Sequence, residues 1–157
     1  MKGASIAELR KELKHRTREE LFDYCLALAR YKVESKELLT YLVFESENET
    51  NYVESVKAYI DVEFSNINTT SYHYIKKSAR KILRQVKRYI RYSKQKETET
   101  AVLLHFCESL ADVEPNIFEN TVLTNMYNRQ KDMAFKAMQK LHEDLQYEYQ
   151  LVIEEMR

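Results

Sequence analysis

The sequence predicts an all-α fold, and three observations carry that prediction. Glycine and proline are almost absent: Gly3 and Pro115 are the only ones among 157 residues. Sheets and tight hairpins use both residues, with Asn-Gly pairs, freely. Apolar residues recur at spacings of three and four through most of the chain, the period of a helix with one buried face. Ser, Thr and Asn stand at the gaps, where they cap helix starts.

The elements follow in order. Ile6, Leu9 and Leu13 mark a short helix over about 5–14. Thr17, with Glu20 three residues on, forms a capping box that opens a second, over about 18–32. Leu21, Phe22, Cys25, Leu28 and Ala29 give it an apolar face. Ser35 is the expected cap of a third helix, about 36–46, and Asn48 or Thr50 starts a fourth, about 50–65. The run Asn66 to Ser71 is the clearest loop, because such side chains bond to their own backbone and compete with helix. A fifth helix covers 71–94. Residues Lys94 to Thr100 include no apolar side chain, which places a break there and a sixth helix over about 99–112. The last pattern, about 117–156, keeps its rhythm from Val122 to Met156 and predicts one long helix of about 60 Å at 1.5 Å per residue.

Six or seven helices in one domain spanning 1–157 are therefore expected. They form either a helical bundle or a short HEAT-like stack of αα hairpins with a long C-terminal helix. One internal similarity favours the stack. Leu21–Ala29 aligns with Leu103–Ala111, sharing Leu, Cys, Leu and Ala at four positions, as in a duplicated hairpin.

Mean hydropathy is −0.61, charged residues make up 32% and aromatic residues 11%. That is the composition of a folded, water-soluble chain rather than a disordered one. No apolar run reaches membrane-spanning length, and the first ten residues turn polar too early for a signal peptide. A cytoplasmic protein with no membrane partner is expected. Cys25 and Cys107 are then reduced thiols, each read as a small buried hydrophobe.

Motifs for chemistry are missing. The four histidines, His15, His73, His105 and His142, form no His-x-x-x-His or Glu-x-x-His pair, and no Cys-x-x-Cys occurs. His105 and Cys107 project about 200° apart on a helix and cannot share an ion. Without glycine there is no phosphate-cradling loop. No catalytic residue, metal ligand or cofactor site is assigned, and the expectation is a protein that is not an enzyme.

What stands out is charge. Residues 1–70 hold 10 basic and 13 acidic side chains, net −3. Residues 71–96 hold 10 basic and none acidic, net +10. Residues 97–157 hold 5 basic and 12 acidic, net −7. Projected at about 100° per residue from Ile75, the helix sorts cleanly. Ile75, Ala79, Ile82, Leu83, Val86, Tyr89 and Ile90 fall within about 320° to 80°, through zero. Lys76, Lys77, Arg80, Lys81, Arg84, Lys87, Arg88, Arg91 and Lys94 fall within about 100° to 240°. Tyr74 and Tyr92 sit at the edge, where they are candidates to stack on bases.

Two fates are open to such a face. Acidic neighbours can neutralise it: Glu45, Glu47, Glu49 and Glu54 precede it, and Glu108, Asp112, Glu114 and Glu119 follow. Alternatively an external polyanion does so, releasing counterions as phosphates are contacted. DNA or RNA is the expected polyanion. The competing expectation is a protein–protein or self-association module using the long C-terminal helix, with Tyr127, Tyr147 and Tyr149 as an interface set and the basic face only structural. Gln130, Ala134 and Ala137 in that helix's stripe point equally to close packing within the chain.

The run Tyr74-Ile75-Lys76-Lys77-Ser78-Ala79-Arg80-Lys81-Ile82-Leu83-Arg84, continued by Lys87 to Lys94 and then by Leu103–Cys107, resembles small helical hypothetical proteins of Bacteroidetes-type bacteria. The resemblance covers about the central half of the chain. It implies a helical fold and carries no activity, partner or site residue.

Overall fold

In a computed structural model that describes residues 1–156, the chain is helical and no strand occurs among the described residues. Internal contacts divide it into two compact units, Met1–Phe44 and Glu45–Arg157.

The first unit holds α1 (Ile6–Leu13), α2 (Arg18–Tyr31) and α3 (Val33–Thr40). Ser5 and Thr17 open α1 and α2, each in a full capping box with Glu8 and Glu20. The third helix differs from expectation. It begins at Val33, directly after Lys32, with no side-chain cap, so Ser35 lies inside it. After Thr40 the backbone widens into a π-helical turn, Tyr41–Glu45, so the expected helix over 36–46 is two elements. Only Ala29 and Tyr41 are buried in this unit. Cys25, expected in a core, is exposed.

The second unit holds α4 (Glu49–Ser65), α5 (Tyr72–Ser93), α6 (Lys96–Ala111), α7 (Thr121–Met138) and α8 (Glu143–Glu155). Its packing is bundle-like, with α6 at the centre touching α4, α5 and α7. Leu103, Phe106, Cys107 and Leu110 of α6 are wholly enclosed. Fully burying an apolar side chain of this size stabilises by about 1.5–3 kcal/mol, so this helix anchors the unit. The similarity between α2 and α6 is not matched by their surroundings: Leu21, Phe22 and Leu28 of α2 are exposed.

The single long C-terminal helix is not formed. A 3-10 turn, Ile117–Glu119, precedes α7, and the chain leaves the helix after Met138 and restarts at Glu143. The signal for that restart was the polar triplet His142-Glu143-Asp144. His142 is an N-cap, its Nδ1 accepting from the Asp144 N–H at 3.2 Å, with two acids in the first turn beyond it. Gln146 ties the connection down by donating to the Leu141 and Gln139 carbonyls at 2.7 and 3.2 Å. Helix α8 then packs on α7 and α6: Tyr149, Val152, Ile153 and Met156 lie against Leu103, Leu104 and Ala134. Gln130, Ala134 and Ala137 are buried, so the stripe of α7 is spent on packing within the chain.

Two hydrogen bonds fix α5 in this unit, and a third ties α6 to α4. Tyr52 Oη of α4 donates to the Tyr89 carbonyl at 2.8 Å. Tyr72 Oη, at the start of α5, donates to the Asn116 carbonyl at 2.7 Å. Thr98 Oγ1 of α6 donates to Glu49 of α4 at 2.6 Å. No described helix is long and apolar enough to cross a membrane.

Candidate polyanion-binding face

Helix α5 is rigidly seated on one side. Ile75, Ala79, Ile82 and Val86, four apolar residues at helical spacing, are all buried. Leu83 and Ile90 continue this side against the cluster of Leu103, Leu104 and Ala134. On the flank toward α4, Tyr89 receives Tyr52 and Tyr59 edge-on, with ring centroids 6.5 and 5.4 Å away. The break after α5 is shorter than the polar run suggested: only Lys94 and Gln95 lie outside helix, and α6 begins at Lys96, within the run. Lys94 closes the helix with φ 59°, a left-handed cap, its N–H donating to the Ile90 carbonyl.

The opposite side carries the cations. Lys77, Arg80, Lys81, Arg84, Arg91 and Lys94 are exposed, and Lys76, Lys87 and Arg88 are half-buried. From Lys76 to Lys94 the row is about 27 Å long at 1.5 Å per residue. Its most distinctive property is electrostatic. Among the described residues, Lys76, Lys77, Arg80, Lys81, Arg84, Arg91 and Lys94 form no ion pair. Arg88 donates to Gln85 at 3.2 Å and has a further partner.

Four of the acids that flank α5 in sequence have neighbours away from the cation row. Glu49 accepts from Thr98, and Glu54 lies 3.6 Å from Lys57. Glu119 and Glu114 act on the Tyr72 hydroxyl, which desolvation and these two carboxylates push above its ordinary value. That places them beside the start of α5 rather than along the row. No acidic residue occupies the first turn of α5.

At its C-terminal end the face folds around a hollow of about 330 Å³. Lys87, Arg91, Lys94, Lys96 and Glu99 surround it, over a floor of Ile90, Leu103 and Met133. Lys87 approaches Met133 Sδ at 3.7 Å. Burial lowers its pKa first and the nearby Arg129 guanidinium lowers it further, while Glu99 opposes them. Glu99 itself is held by Lys96 at 2.9 Å. Arg129 and Lys96 are thus additions that α5 alone did not suggest. Arg129 comes from α7 and is brought there only by the tertiary fold.

The two edge tyrosines part company. Tyr74 is exposed, with His73 edge-on 5.3 Å away. Tyr92 is only 9% exposed and packs on Tyr89 at 6.3 Å. It belongs to the tyrosine cluster under α4 and is no stacking platform. The C-terminal tyrosines separate in the same way: Tyr127 is buried, Tyr149 half-buried, and only Tyr147 is exposed.

No group of three or more His, Cys, Asp or Glu side chains is arranged to hold a metal ion among the described residues. His105 Nε2 is paired with Asp61 Oδ1 at 2.6 Å. The Cys107 thiol is buried against the Tyr127 carbonyl and its pKa is pushed up to about 12, chiefly by burial, so it is not a nucleophile in this setting. Comparison with protein-family models, with curated proteins and with solved structures finds no match.

Proposed function

We propose that the protein is a non-enzymatic binding protein that holds a polyanion, nucleic acid, along the outer face of α5. One observation carries the reading: seven cations on one helix face find no carboxylate partner among the described residues. Like charges at i,i+4 destabilise a helix by about 0.2–0.5 kcal/mol per pair. Lys77–Lys81, Arg80–Arg84, Arg84–Arg88 and Lys87–Arg91 are such pairs. A folded chain retains them at a cost to itself, and phosphates remove that cost.

The dimensions suit a sugar–phosphate backbone. Phosphates along one DNA strand repeat at about 3.4 Å, so a row about 27 Å long faces about eight of them. A straight helix laid on a curved groove reaches about half. Arginine adds paired donors that fit phosphate oxygens, and lysine adds point charge. Nothing on the face reads base edges, so binding is independent of sequence. Tyr74 is the one exposed ring at its rim available for stacking.

The test is a titration of an arbitrary duplex at several salt concentrations. A plot of log affinity against log salt should fall with a slope of about −3 to −5. Arg84→Glu combined with Arg88→Glu should weaken binding at least tenfold and flatten that slope. No binding to DNA or RNA at low salt would sink the reading.

A further inference from the structure

The unit Met1–Phe44 holds more apolar surface than it covers. Phe22, Leu28, Tyr31, Val33, Val43 and Phe44 are each more than half exposed, Tyr31 to 79% and Phe44 to 77%. Units this small usually need disulfides, metals or oligomerisation to become stable. This one has a single cysteine, Cys25, unpaired. Four of these six apolar residues, Tyr31, Val33, Val43 and Phe44, border one groove. The groove, of about 670 Å³, runs between α2 and α3. Leu26, Ala29 and Leu39 form its floor, and Tyr31, Val33, Val43 and Phe44 line its walls. Every charged residue lining it is basic: Arg30, Lys32 and Lys36. The shape asks for an amphipathic helix whose apolar stripe is framed by carboxylates.

This chain carries one. The inner side of α8 is packed on the cluster of Leu103, Leu104 and Ala134. Its outer side presents Tyr147, 68% exposed, and Leu151, 46% exposed, one helical turn apart. Projected around the axis at about 100° per residue, Glu143 and Glu154 border this pair on one side. Asp144, Glu148 and Glu155 border it on the other. Glu143–Glu155 contains no lysine or arginine. Groove and helix therefore match in polarity: an apolar trough edged by three cations, and an apolar pair edged by five carboxylates.

We infer that the protein self-associates, the outer face of α8 of one copy seating in the α2–α3 groove of a second. Each copy offers one groove and one helix, so two copies satisfy each other reciprocally, as a two-fold dimer does. Tyr147 supplies an aromatic anchor of the kind that dominates such contacts. No residue of α5 takes part, so the inference stands or falls independently of polyanion binding.

Sedimentation equilibrium of the full chain tests it. The unmodified protein should be dimeric at micromolar concentration. Tyr147→Glu with Leu151→Glu alters only exposed positions, so it should leave helicity intact and weaken association at least tenfold. Two charge-reversed proteins sharpen the result. Lys32→Glu with Lys36→Glu in the groove, and Glu148→Lys with Glu154→Lys and Glu155→Lys on the helix, should each be monomeric alone. Mixed, they should form a heterodimer, because every groove then meets a helix of opposite charge. A monomer at all concentrations overturns the inference. So does a dimer indifferent to the α8 substitutions, which would mean that hairpin meets hairpin or that another surface is used. Failure of the mixed pair to associate overturns it too.

Discussion

Cys25 and Cys107 occupy matching positions in similar sequence segments, yet one thiol is exposed and the other enclosed. Their chemistry should differ accordingly. Thiolate is the reactive form, and burial holds the Cys107 thiol neutral up to about pH 12, against an ordinary value of 9.0. An aromatic disulfide reagent at pH 8 should therefore titrate one thiol rapidly and the second only on unfolding. The pH dependence of stability follows from the same shift. The folded state binds this proton more tightly than the unfolded chain, so the contribution is intact below about 9 and is lost as pH rises toward about 12. Denaturant melts between these limits should show falling stability, and Cys107→Ala should remove part of that fall. Sequence could not separate the two cysteines, because an apolar helix stripe records that a face wants cover and not whether the chain supplies it. Tyr92 taught the converse. Its projected angle put it at the edge of the basic face, but the neighbouring tyrosines of α4 and α5 draw the ring inward. Gln130 is buried with its Oε1 lacking a hydrogen-bond partner among the described residues, a cost that no pattern of apolar residues announces.

Helix α5 is the element whose outline was most legible. Its stripe, its basic face and the break after Ser93 all follow from side-chain order, since a helix with no acid and a strict apolar period has one orientation that buries it. The last helix was the least legible, because the three/four rhythm runs on across Gln139–His142 while the backbone does not. The local chemistry of the His142 cap outweighs the rhythm there. A consequence for α5 separates fold from function. Arg84 points away from the core and lies one turn from both Arg80 and Arg88. Arg84→Glu turns two repulsions into two attractions, each of about 0.2–0.5 kcal/mol. The single variant should melt at the same temperature as the unmodified protein or slightly above it, while its affinity for a duplex falls. A variant that lost both would show the arginine to be part of the packing and not of a binding face.

At the scale of the whole molecule the zero net charge conceals opposite halves: a +10 segment at 71–96 and a −7 segment at 97–157. Among the flanking carboxylates, Glu49 and Glu54 of α4 are engaged with Thr98 and Lys57, and Glu114 and Glu119 act on Tyr72 at the start of α5. The two proposed surfaces use the two charges separately, α5 for phosphates and α8 for the groove of a second copy. Taken together they predict bivalence. A dimer carries two basic faces, so on a long duplex the second face binds at an effective concentration that can reach the millimolar range, without any new contact. On a duplex of about 12 base pairs, about 41 Å long at 3.4 Å per pair, only one face can engage. The Tyr147→Glu, Leu151→Glu protein should therefore bind the short duplex as the unmodified protein does. On a duplex several times longer it should bind about tenfold or more weaker than the dimer, with a shallower salt dependence because fewer phosphates are contacted per particle. Equal losses on both lengths would mean that α8 itself touches the nucleic acid. No loss on either would mean that the two basic faces of a dimer never reach the same duplex.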